Sequence, residues 1–174
     1  VKESLLLKIS LDSLNDDIFD KMTRTTNLLC KVKDSIKFAS EQGFRIELNI
    51  VATDMNVDEI INIYKYATSL HLVGIKVLTV NDFGGKVKME SSASDRLSNL
   101  IQALKQNNDF SYDLNLFLND NKGIEMKRFK DQNGCTITIV DHENNENSIT
   151  PRRVFCSECT TCKFYSPDSY SDIK

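Results

Sequence analysis

Leu5-Leu6-Leu7-Lys8-Ile9-Ser10-Leu11-Asp12-Ser13 is a nearly continuous apolar run that closes on small polar residues. Such a run reads as a strand buried on both faces, of the kind found in parallel sheets. Working outward, Asn15 opens a short helix ending near Met22. A second helix carries Leu29, Val32, Ile36 and Ala39 on one face and stops at Gly43. Arg45 to Thr53 is the next strand. Asn56 with Glu59 three residues on resembles a capping box for a helix whose stripe is Ile60, Ile63, Tyr64 and Ala67. Gly74 to Val80 is a third strand. Leu97, Leu100, Ile101 and Leu104 mark a further amphipathic helix beyond the loop that holds Asn81 and Asp82. Helices between strands imply parallel, right-handed crossovers, so residues 1–107 are predicted to hold three successive βα units.

From residue 108 to residue 174 the texture changes. Tyr112 to Leu118, Ile124 to Lys130 and Cys135 to Asp141 read as short strands. Asn133-Gly134 between the last two is a strong hairpin signal. This is expected to be a small antiparallel appendage, followed by a polar loop and a cysteine knuckle. Three parallel strands fit either a small three-layer α/β domain or the C-terminal portion of a larger barrel, and the latter is preferred. The apolar first strand would otherwise be an exposed edge.

Composition narrows the functional classes. Lys and Arg number 22 against 25 Asp and Glu, a formal charge of −3, which argues against a general nucleic-acid or anionic-membrane binder. There is no apolar run of membrane-spanning length. Five cysteines, three of them clustered, read as metal-bound thiolates in a reducing cytoplasm rather than as a disulfide framework. The chain starts at Val1 and is expected to belong to a longer polypeptide.

Cys156-Ser157-Glu158-Cys159-Thr160-Thr161-Cys162 is a C-x2-C-x2-C run, which lets thiolates on one short stretch converge on a metal centre. Spacing alone leaves zinc and an iron–sulfur cluster comparable. Cys135 is a fourth-ligand candidate, though an open fourth position is preferred. Cys30 reads as a small buried apolar residue, and His71 and His142 as solvated. At the C-terminal ends of parallel strands, where chemistry gathers, stand Ser10, Asp12 and Ser13, then Asn49, then Thr79, Asn81 and Asp82. Ser and Asn offer neutral donors and acceptors suited to a ribose or an amino-acid carboxylate. Arg152 and Arg153 precede the knuckle as candidate anion contacts.

Ile9-Ser10-Leu11-Asp12-Ser13-Leu14, followed by Phe19, resembles the V-S-L-D-S-L-x-x-x-x-F segment of radical S-adenosylmethionine enzymes. Among these it is similar to the GTP 3',8-cyclase family of molybdenum cofactor biosynthesis. The likeness continues through Val32 to Ile36, Gly43-Phe44, Leu48 to Val51 and Asn56 to Ile60, covering about the first 80 residues. It returns at Phe155-Cys156-Ser157-Glu158-Cys159. The resemblance implies a TIM-type partial (βα)6 barrel of which this chain supplies the C-terminal half. It implies an enzyme that cleaves S-adenosylmethionine to a 5'-deoxyadenosyl radical, which abstracts hydrogen from a small-molecule or peptide substrate. Ser10 and Asn49 would contact S-adenosylmethionine. Cys156, Cys159 and Cys162 would ligate an auxiliary 4Fe–4S cluster that binds substrate or carries an electron from a donor.

The departures are specific. The family's C-x3-C-x2-C loop, which holds the radical-generating cluster, is absent, so these 174 residues are not expected to cleave S-adenosylmethionine alone. The lysine of the cyclase's K-x-N strand is Glu47 here. Lys76 and Thr79 replace the arginine and glutamate of its R-F-I-E strand. Thr160 to Tyr165 stand where the cyclase has N-R-x-R-L-T. Bidentate arginine sites do not tolerate such exchange, so GTP is not the expected substrate. A rival from another class is a non-catalytic α/β module with a structural zinc knuckle.

Overall fold

The computed structural model describes residues 5–79, 91–113 and 125–141. The elements run β1 (Leu6–Ser10), α1 (Asp16–Thr23), α2 (Leu29–Glu41), β2 (Arg45–Ala52), a 3-10 turn (Val57–Glu59), α3 (Ile60–Ser69) and β3 (Gly74–Thr79). They continue with α4 (Ser91–Gln106), β4 (Phe110–Asp113), β5 (Glu125–Asp131) and β6 (Thr136–Asp141). The alternation is therefore mixed α/β, as the sequence predicts. Asn15 caps α1, its side chain accepting from the Ile18 amide, while Asp16 and Asp17 sit in the first turn, where the helix dipole favours negative charge.

All six strands form one sheet in the order β1-β2-β3-β6-β5-β4. β1, β2, β3 and β6 are mutually parallel, and β5 and β4 add antiparallel strands. The antiparallel strands expected as an appendage thus continue the parallel sheet, because β6 docks beside β3. That junction is tight. A Cβ on Gly74 would lie 2.2 Å from the Thr136 carbonyl oxygen, so only glycine lets the two backbones approach this closely. The hairpin turn is pinned by Asp131, whose Oδ1 accepts from the Asn133 and Cys135 amides. Tyr64 of α3 donates to the other oxygen of Asp131, tying the turn to the helix layer.

One sheet face is apolar and faces the helices. Ile46, Leu48, Ile50, Ile75, Val77, Phe129, Ile137 and Ile139 are each fully buried, packed with Ile36 of α2 and Ile60 and Ile63 of α3. The opposite face carries Lys8, Ser10, Glu47, Asn49, Lys76, Arg128 and Thr138, fixed there by strand alternation and register. β1 is not buried on both faces as its run suggests: Leu6, Leu7 and Ile9 are half-buried and Lys8 and Ser10 exposed. It lies at the sheet edge, paired only with β2 among the described residues.

Asn56 and Glu59 form no capping box. Asn56 is fully buried, and all four hydrogen-bonding positions of its amide are used. Nδ2 donates to the carbonyls of Asp12 (2.8 Å) and Val51 (2.9 Å), and Oδ1 accepts from the amide (2.7 Å) and hydroxyl (3.1 Å) of Thr53. Asn56→Ala leaves two buried carbonyls and an amide without partners. It is expected to destabilise the chain by about 2–4 kcal/mol, since each orphaned group costs roughly 1–3 kcal/mol. Chemical denaturation checks this against Asn15→Ala, whose lost cap costs about 1 kcal/mol.

Candidate functional site

The ends of β1 and β2 are built into a single polar assembly. Asp12 Oδ1 accepts from the Val51 amide at 2.8 Å, extending the β1–β2 pairing past the last backbone ladder bond. Ser13, fully buried, lies 2.9 Å from both Glu59 carboxylate oxygens, and Glu59 Oε2 also accepts from the Leu14 amide at 2.9 Å. Ser13 in turn accepts from the Asn15 amide. Asp12 and Ser13, named from sequence as strand-end candidates, are thereby occupied in holding β1 against β2 and α3.

Ser10 and Asn49 have a different environment. They are register partners on adjacent parallel strands and so project side by side from the face away from the helices. Ser10 is exposed and Asn49 half-buried. The Asn49 Oδ1 atom is itself buried and has no hydrogen-bond partner among the described residues. Buried side-chain acceptors are rarely left unsatisfied, and one within β2 beside an exposed hydroxyl at the end of β1 suits a ligand carrying N–H or O–H donors.

The same rung continues across the sheet. Asn49 is in register with Lys76, Lys76 with Thr138, and Thr138 with Arg128. One step towards the strands' N-terminal ends, Glu47 is buried, with Lys8 Nζ 3.7 Å from its carboxylate. Glu47, Asn49 and Lys76 are thus neighbours on one face, which brings together residues that the sequence singles out separately. The rung itself was missed, because period-two alternation assigns faces within a strand but not which residues stand level on neighbouring strands. Thr79 instead lies level with Ala52, turned to the helix side and close to the Val140 carbonyl.

The remaining candidates divide plainly. Cys30 is exposed rather than buried, because it lies on the solvent side of α2, with Asp34 one turn on. Cys135 is buried in the β5–β6 turn against Thr68, and burial raises its thiol pKa, which disfavours the thiolate a metal requires. His71 is exposed. Asn81, Asp82, His142, Arg152, Arg153, Cys156, Cys159 and Cys162 lie outside the described residues. Among the described residues no group of three or more His, Cys, Asp or Glu could hold a metal ion. No helix among them is long and apolar enough to cross a membrane.

Burial raises the Asp12 pKa above the usual carboxylate value, and the Val51 amide only partly offsets this. The folded state therefore holds this proton more tightly than the unfolded chain does. The charge of Asp12 costs stability as pH rises through its folded pKa, and that cost disappears as pH falls below its ordinary, unfolded value. Asp12→Asn keeps an acceptor for Val51 and removes the charge. It is expected to melt at or above the wild-type temperature at pH 7, with the difference closing under acid; a lower melting temperature at pH 7 contradicts the assignment.

No protein-family model matches the chain. A 62-residue segment is 40% identical to GTP 3',8-cyclase of Synechocystis sp., covering 35% of this chain and 19% of that protein. Among solved structures, Streptococcus suis SuiB is similar at a TM-score of 0.45 and 15% identity, over 59% of this chain and 25% of that one. SuiB bound to S-adenosylmethionine gives the same score and identity over 56% of this chain and 24% of that one. The matched part thus spans a quarter or less of the length of each of these proteins. In the cyclase-like segment and its strand-end motif, the chain resembles the radical S-adenosylmethionine enzymes.

Proposed function

We propose that the chain is the later part of a radical S-adenosylmethionine enzyme, and that Ser10, at the end of β1, and Asn49, beside it on β2, hold the cofactor. The observation that carries this reading is the buried, unpartnered Asn49 Oδ1 standing level with the exposed Ser10 hydroxyl. S-adenosylmethionine offers the complementary groups: an ammonium and ribose hydroxyls to donate to Asn49, and a carboxylate to accept from Ser10. When bound beside a reduced 4Fe–4S cluster held by a preceding region, this cofactor supplies a 5'-deoxyadenosyl radical for hydrogen abstraction.

The rest of the architecture fits that role. β1, β2 and β3 with their helices are read as the last three units of a partial (βα)6 barrel within residues 1–107, and the polar sheet face as its lumen. Residues 108–174 are read as a second region that ends in the auxiliary cluster ligands Cys156, Cys159 and Cys162. The protein's own contribution is to orient cofactor and substrate and to exclude water. An electron donor is required, and a cytoplasmic location suits free thiolates. The likeness to the cyclase favours GTP as a second reading. Against it, Glu47 places a carboxylate on the face where a triphosphate would need cations, and a peptide or other small molecule is the preferred substrate.

Titration of S-adenosylmethionine into the full-length, anaerobically reconstituted protein tests the site. Asn49→Ala is expected to weaken binding about fivefold to tenfold, the worth of one hydrogen bond to a polar ligand, with an unchanged melting temperature. Unaltered affinity in that variant contradicts the reading.

The cluster has its own test. Anaerobically reconstituted protein should show broad thiolate-to-iron absorption beyond that of the radical-generating cluster, removed when Cys156, Cys159 and Cys162 are changed to Ala. Stoichiometric zinc bound by these three cysteines contradicts the assignment and favours a structural knuckle.

A further inference from the structure

We infer that Lys76, Thr138 and Arg128 form an oxyanion-binding site beside Asn49, which takes a carboxylate or a single phosphate group of the substrate. The inference deepens the proposed function by assigning the substrate a charged anchor, and it rests on different residues from the cofactor reading.

Three observations converge on it. First, register sets Ser10, Asn49, Lys76, Thr138 and Arg128 on one rung of the same sheet face. Strands lie about 4.8 Å apart, so Lys76 and Arg128 flank Thr138 with roughly 10 Å between their backbones, a gap their long side chains can close over one anion. Second, the guanidinium is held in place. Arg128 Nε donates to Thr138 Oγ1 at 3.3 Å, and Thr138 is 2% exposed, a buried hydroxyl that fixes a half-buried cation. An oriented guanidinium leaves its terminal N–H groups for the forked pairing that carboxylates and phosphates favour.

Third, neither cation is neutralised among the described residues: Lys76 and Arg128 form no ion pair there, whereas Lys8, Lys37 and Arg96 are matched to Glu47, Glu41 and Asp58. The nearest described carboxylate on this face, Glu47, is engaged by Lys8. Two half-buried cations thus stand on one rung with no described carboxylate paired to either, an arrangement that suits a bound anion. A net charge of two positive units suits one carboxylate or one phosphate better than a triphosphate.

The test titrates full-length protein with inorganic phosphate and, separately, with N-acetylglycine as a carboxylate probe. Saturable binding of at least one probe is expected. Arg128→Gln and Lys76→Gln should each weaken it about tenfold, as removal of a charge-assisted hydrogen bond does. Lys37→Gln, on the outer surface of α2, should leave it unchanged. The tighter probe names the substrate group. Thr138→Val keeps both charges while freeing Arg128, and an intermediate loss with an unchanged melt is expected. Absence of saturable binding, or equal binding by wild type and both cation variants, overturns the inference. S-adenosylmethionine affinity is measured in parallel. Failure of wild type to bind the cofactor while it still binds the oxyanion defeats the cofactor reading and leaves this site standing.

Discussion

The Asn56 amide is the interaction on which the site's geometry depends. It sits where β1 and β2 end, and its four hydrogen bonds reach the carbonyls of Asp12 and Val51 and both polar groups of Thr53. Strand ends normally fray, because the ladder stops and the backbone groups turn to water. Here one buried side chain closes both ends at once. Asp12 does the same from the other side by accepting from Val51. Ser13 and Glu59 then lock the following loop to α3. Ser10 and Asn49 lie two residues before Asp12 and Val51, so their relative height follows from this closure. A polar core at this point costs desolvation, visible in the raised pKa of Asp12, and the hydrogen bond from the Val51 amide offsets part of that cost.

Much of the fold was legible because local signals and tertiary demands agree in the first half of the chain. Asn15 caps α1, the stripe through Leu29 and Ile36 is buried, and Ile60, Ile63, Tyr64 and Ala67 face the core. Where the two levels compete, the local signal misleads. Asn56 and Glu59 have capping-box spacing, yet the side chain of each bonds groups on the β1 side of the sheet instead of the other's backbone. The Asn-Gly turn announces the β5–β6 hairpin but says nothing about what lies on the far side of β6. That partner is β3, and the signal for it is Gly74, whose missing side chain admits the Thr136 backbone. Cys30 shows the limit of residue type as a guide to burial, since helix phase turns it outward.

The site was half legible. Ser10 and Asn49 follow from a strand-end argument and from the family likeness. Their standing level with Lys76, Thr138 and Arg128 follows only from register across four strand pairings, three parallel and one antiparallel. Along one rung, neutral hydrogen-bonding groups stand on the β1–β2 side and two cations on the β3–β6–β5 side. On the proposed function, such a layout would set a zwitterionic, hydroxyl-rich cofactor beside an anionic substrate, the proximity that hydrogen transfer between them requires.

The measurement that bears most directly on the central claim is hydrogen–deuterium exchange of the full-length, reconstituted protein with and without S-adenosylmethionine. If Ser10 and Asn49 hold the cofactor, peptides spanning residues 9–13 and 47–53 become protected on binding, while those of α2 and of the β5–β6 turn exchange as before. Protection elsewhere, with the ends of β1 and β2 unchanged at saturating cofactor, contradicts the account.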